Sequence, residues 1–98
     1  MQVERYVIKT LIKAGRSGLA SRFIARHVYN EMNNLFNEVD FEVVNKAVSR
    51  YLVSHCTGKR GVVVRVRHGV YRLNDTNPWA QQLLFQFAQM DRDVKNLG

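Results

Sequence analysis

Between Val43 and Asn74 the chain carries Lys46, Arg50, Lys59, Arg60, Arg65, Arg67 and Arg72, and not one Asp or Glu. Guanidinium and ammonium groups donate to phosphate oxygens, and the arginine fork also matches the acceptor pair on a guanine edge. Seven such groups in 32 residues with no internal counter-charge point to a polyanion as the missing partner. Asn45, Ser49 and His68, which lie among them, add groups that can donate or accept toward bases and backbone.

Other chemistries find less support. His27, His55 and Cys56 have no Cys-x-x-Cys or His-x-x-x-His spacing, and the adjacent His55 and Cys56 diverge on a helix. No metal site is expected. Gly58-Lys59-Arg60-Gly61 lacks the full pattern of a nucleotide-binding loop. Asp91 and Asp93 are two apart on a helix and point to different faces. No nucleophile–base grouping can be placed, so neither catalysis nor a cofactor is expected.

The elements that must position the cations follow from spacing. Val3, Tyr6, Val7, Leu11 and Ala14 recur at helical intervals, which predicts a helix over Gln2–Ala14, ended by Gly15-Arg16-Ser17-Gly18. Ser21 is the expected N-cap of a second helix, Arg22–Asn33, with Ile24, Val28, Met32 and Leu35 inward. Asp40 is the expected cap of a third, read over Val43–Cys56. Its inner stripe is Val44, Ala47, Val48, Tyr51, Leu52 and His55; Asn45, Lys46, Ser49, Arg50 and Ser54 face out. A hairpin is expected next, Val62–Val66 and Val70–Leu73, turning at Arg67-His68-Gly69. Alternation predicts Val62, Val64 and Val66 over the helices, with Arg65, Arg67 and Arg72 sharing the solvent face. After Asp75-Thr76-Asn77, read as a linker, Pro78 starts a fourth helix. Along it Ala80, Leu83, Phe87, Met90, Val94 and Leu97 are spaced as a heptad seam, broadened by Trp79, Leu84, Phe85 and Ala88.

The bulk properties bound the rest. The 98 residues suffice for one small core, and 46% are hydrophobic. Of the net charge of +7, residues 1–74 hold thirteen Lys/Arg against five Asp/Glu, whereas residues 75–98 hold two against three. The lone Cys56 excludes a disulfide framework. No apolar run approaches a membrane span, and Met-Gln-Val-Glu-Arg does not open a secretory signal. A soluble protein of the cytoplasm, or of a eukaryotic nucleus, is expected, with no membrane partner.

The order helix, helix, helix, hairpin resembles winged helix-turn-helix domains. The likeness is carried by Ala47-Val48-Ser49-Arg50-Tyr51-Leu52 and by Arg65-Val66-Arg67-His68-Gly69-Val70-Tyr71-Arg72-Leu73. Two groups are similar: the linker-histone-like and HARE-type winged helices, and the DNA-binding domain of abortive-infection-type antitoxins, which ends in a comparable Arg-x-Gly-Val-Tyr-x-Leu. The connector Asn33–Val39 is long for the antitoxin group, and the last helix matches neither.

The expectation is an α+β winged helix-turn-helix, three helices plus a hairpin wing over residues 1–74, with an extra C-terminal helix over 75–98. The resemblance implies a DNA-contacting third helix and wing: Asn45, Lys46, Ser49 and Arg50, then Arg65, Arg67 and His68. Charge adds Lys59, Arg60 and Arg72. The expected partner is double-stranded DNA, in transcription regulation. Trp79, Leu83, Leu84, Phe87, Met90 and Val94 are the expected dimerisation residues, pairing two copies through the last helix. Two rivals stand beside this. One is a protein-interaction winged helix working through that apolar helix. The other is RNA binding, with Tyr29 and Phe36 as the aromatics to watch.

Overall fold

The computed structural model describes residues 3–33 and 37–97. Leu35 and Phe36, and the side chains of Met90, Val94 and Leu97, lie outside what it describes. Helix α1 spans Glu4–Ala14, strand β1 Leu19–Ala20, α2 Ser21–Met32, α3 Phe41–Ser54, β2 Val63–Arg67, β3 Val70–Leu73 and α4 Pro78–Leu97. Short 3-10 turns occupy Gly15–Ser17 and Gly58–Arg60. The architecture is α+β: four helices and a three-stranded antiparallel sheet in the order β1-β3-β2.

The helices form where their apolar periodicity lies. Val7, Ile8 and Leu11 of α1, Ile24, Ala25 and Val28 of α2, and Val44, Val48 and Leu52 of α3 are all but completely buried and make one core. Ile8 joins it although the spacing in α1 did not single it out. Asp40 caps α3 as expected, its carboxylate accepting from the Glu42 amide at 2.9 Å. Fixing this amide satisfies one of the helix's unpaired donors and places an acid at the positive end of the dipole.

Ser21 is not a cap. Ala20 takes that position with extended backbone, and Ser21 is the first helical residue. The cause is β1, which has no counterpart in the sequence pattern. Leu19 pairs with Tyr71 and Ala20 with Val70, so the chain stays extended up to Ala20. The Ser21 amide then donates to the Gly69 carbonyl oxygen at 2.8 Å.

The hairpin forms where expected, closed at His68-Gly69 with Gly69 at φ 75°, but its inward face is the other one. Val63 is fully buried, whereas Val62 and Val64 are only half-buried and Val66 is 41% exposed. Register decides this. Val63 pairs with Leu73, Val64 with Arg72 and Arg65 with Tyr71, and directly paired residues share a face. A bulge then advances β2 by one residue, so Arg67 pairs with Val70. Arg67 and Arg72 therefore share the outer face with Val64, while Arg65 stands on the opposite face beside Tyr71. The expected trio of arginines on one face is split two to one.

The segment read as a linker is tied down. Asn74 is buried, and its side-chain amide donates to the carbonyl oxygens of Lys59 (3.0 Å) and Gly61 (2.7 Å). Its carbonyl oxygen accepts from the Thr76 amide and hydroxyl. Asn77 caps α4 by accepting from the Ala80 amide at 2.9 Å, and donates to the Arg60 carbonyl oxygen. Ala80 is fully buried, and Leu83, Leu84 and Phe87 pack against the core. Among the described residues no helix is long and apolar enough to cross a membrane.

Candidate nucleic-acid interface

Burial of Val44, Val48, Tyr51 and Leu52 turns the opposite side of α3 outward. Along that side Val43 (49% exposed), Lys46, Arg50 and Val53 (68% exposed) follow at helical spacing. They border an open depression of about 1580 Å³ between α3 and the start of α1, where Arg5 and Glu4 face them. Ser49 lines it too. A second depression, about 750 Å³, lies between the end of α3, the Gly58–Arg60 turn and the hairpin. Lys59, Arg65 and Arg72 line this one. Val53 borders both, so the two adjoin at that residue.

Six of the expected contact residues are thus brought together: Lys46, Ser49 and Arg50 on one side of Val53, Lys59, Arg65 and Arg72 on the other. Arg60, Arg67 and His68 are exposed outside the depressions, the last two at the hairpin tip. Asn45 is half-buried and borders neither. Arg5 is a cation the sequence pattern left out. It precedes the basic stretch by some forty positions, and only the packing of α1 beside α3 brings it there.

Among the described residues two ion pairs form, Lys9–Glu31 at 3.2 Å and Arg16–Asp75 at 3.5 Å. Neither involves any of the seven cations between Val43 and Asn74. Glu4 and Asp75 are the acids bordering the depressions, and Asp75 is already engaged with Arg16.

The position of Lys59 and Arg60 depends on the loop beneath them. Asn74 and Asn77 hold its carbonyl groups, and Gly61 lets it close: a Cβ there would fall on the His55 carbonyl oxygen and 2.6 Å from the Thr57 nitrogen. Neither asparagine was singled out in the sequence, where Asn-Asp-Thr-Asn reads as ordinary linker composition. The available signal was the Asx-turn chemistry of Asn74, two residues before Thr76.

His55 and Cys56 play local parts. The His55 ring stacks on Tyr51 (centroids 4.0 Å apart, planes at 23°), with Nδ1 3.0 Å from the Tyr51 carbonyl oxygen and from Ser54 Oγ. Among the described residues no three His, Cys, Asp or Glu side chains gather as metal ligands do. The Tyr51 phenol oxygen is buried without a hydrogen-bond partner. Burial, and then the Glu4 carboxylate that stands near without closing a hydrogen bond, push its pKa well above the ordinary phenol range. Tyr29 is half-buried and meets Phe41 edge-on at 5.5 Å, which leaves it poorly placed as a stacking platform for bases.

Comparison with known protein families, curated proteins and solved structures found no match to this chain.

Proposed function

We propose that this protein is a winged helix-turn-helix that binds double-stranded DNA in transcription regulation, in the cytoplasm or in a eukaryotic nucleus. In this reading α3 lies in the major groove and the β2–β3 hairpin is the wing on the flanking backbone. The observation that carries it is the charge of the adjoining depressions. Lys46, Arg50, Lys59, Arg65 and Arg72 border them, and none is neutralised by an ion pair among the described residues. The element order supports the same reading, with β1 between α1 and α2 joining the hairpin as a third strand.

Roles follow from placement. Lys46 and Arg50 contact phosphate or guanine, and Ser49 is the polar reader on their helix. The exposed methyl groups of Val43 and Val53 suit thymine methyl contacts. Arg67 and Arg72 hold one side of the wing against the backbone and Arg65 the other. Half-buried Asn45 takes no leading part.

The test is fluorescence anisotropy of a labelled random-sequence duplex across a salt series. Each phosphate contact adds about 0.9 to the slope of log K against log salt, so several contacts give a slope of several units. No binding at about 50 mM salt, where electrostatic contacts are strong, would remove the reading. A specific observation keeps the protein-interaction alternative in view: Trp79 and Phe85 on α4 are 43% and 65% exposed.

A further inference from the structure

Helix α4 has two unlike sides. One packs into its own chain: Ala80 is fully buried, and Leu83, Leu84 and Phe87 rest on the core. These include three of the residues expected to pair with a second copy, and they already have partners. The other side presents Trp79, Gln82, Phe85 and Gln86 to solvent, with Gln89 half-buried beside them. No residue from Thr76 to Met90 is charged, in a chain that is 23% charged. An outward helix face normally carries charges. The centre of a protein interface is depleted in them and enriched in aromatics.

We infer that this outer face of α4 is a two-fold docking surface for a second copy of the same chain. Symmetry favours that partner. A two-fold axis brings a patch against itself, so any unbalanced charge meets its like. The glutamine amide both donates and accepts, and so pairs with its own copy. Trp79 and Phe85 supply apolar surface that needs no complementary group. The basic surface tells against self-association through α3 and the hairpin. The chain is +7, and the cations bordering the α3–hairpin depressions repel their own kind. At the uncharged α4 face two copies approach without that opposition.

Size sets the strength. A contact from Trp79 to Gln89 extends only about 15 Å along one helix, roughly three turns, so the patch is small. The free dimer is accordingly weak, and two half-sites on one duplex strengthen it by raising effective concentration. This names the partner of α4 within the function proposed above, yet it is separable from DNA contact.

Sedimentation equilibrium of the full chain tests it, over roughly micromolar to millimolar concentration. A reversible monomer–dimer equilibrium is expected. Phe85→Glu sets two carboxylates against each other across the axis and should weaken it about tenfold or more; circular dichroism checks that the variant folds. Gln82→Glu, a change of one atom at an exposed position, should weaken it as well. Arg50→Glu should leave it unchanged while weakening duplex binding. A wild-type chain that stays monomeric throughout, or a dimer that survives both α4 substitutions, overturns the inference. If the dimer forms normally and no duplex binds, the DNA reading fails instead.

Discussion

Between Val43 and Asn74 the chain places seven cations and no acid, whereas between Thr76 and Met90 it places no charged residue. Both stretches pack one side into the same core and present the other to water. The first surface is hydrated through its charges, and under the proposed reading it gains from a partner of opposite sign, which releases counterions. The second has little to attract an ion and gains from the removal of Trp79 and Phe85 from water. The two proposals thus assign adjacent segments of one small chain separate kinds of contact, long-range and salt-dependent on one, short-range and salt-tolerant on the other.

The largest expected effect breaks the first surface alone. Arg50→Glu with Arg67→Glu should lower duplex affinity by about 100-fold or more at moderate salt and flatten the salt dependence. Anisotropy and sedimentation on the same preparation would show whether self-association is spared. The next sharpens the contrast inside α4. Leu83→Ala, on the inner side, should destabilise the chain by about 2 kcal/mol in urea unfolding. Phe85→Ala, on the outer side, should change stability by less than about 0.5 kcal/mol.

A smaller effect concerns the joint between the regions. Asn74→Ala leaves the carbonyl oxygens of Lys59 and Gly61 without their buried donor. It should cost about 1–2 kcal/mol, and increased hydrogen exchange confined to residues 57–62 would show that the loop carrying Lys59 and Arg60 has loosened. The smallest is Tyr51→Phe, which removes a buried hydroxyl with no partner and should be close to neutral in stability below pH about 10. Because the folded-state pKa of Tyr51 is raised, its contribution is intact below the ordinary phenol pKa of 10.0 and is lost as pH rises beyond it. Tyr51→Phe should therefore resist alkaline unfolding better than the parent chain. Phenolate absorbance should show one tyrosine fewer titrating late.

Much of the fold was legible before any tertiary contact was known. The presence of α1, α2 and α3 follows from apolar residues repeated every three or four positions, and the hairpin turn from Gly69; α3, read over Val43–Cys56, lies two residues earlier at Phe41–Ser54, directly after its cap Asp40. The basic stretch needed only counting. The placement of the candidate contact residues was less legible. Lys46, Ser49 and Arg50 do face a common surface, but Asn45 is half withdrawn, and Arg5 joins from the other end of the chain.

Short-range forces control the features that could be read along the chain: helix periodicity, capping, turn geometry and the uneven distribution of charge. These depend on groups within a turn or two of each other. Long-range packing sets the existence of β1, the inward turn of Val63, the separation of Arg65 from Arg67 and Arg72, the anchoring of Asn74 and the use of Leu83, Leu84 and Phe87 within the chain. Each depends on a partner distant in sequence. Two residues have no period to read, and alternation along a strand marks two faces without saying which one the core will take. Only the register with β3 makes that choice, and a one-residue bulge is enough to reverse it.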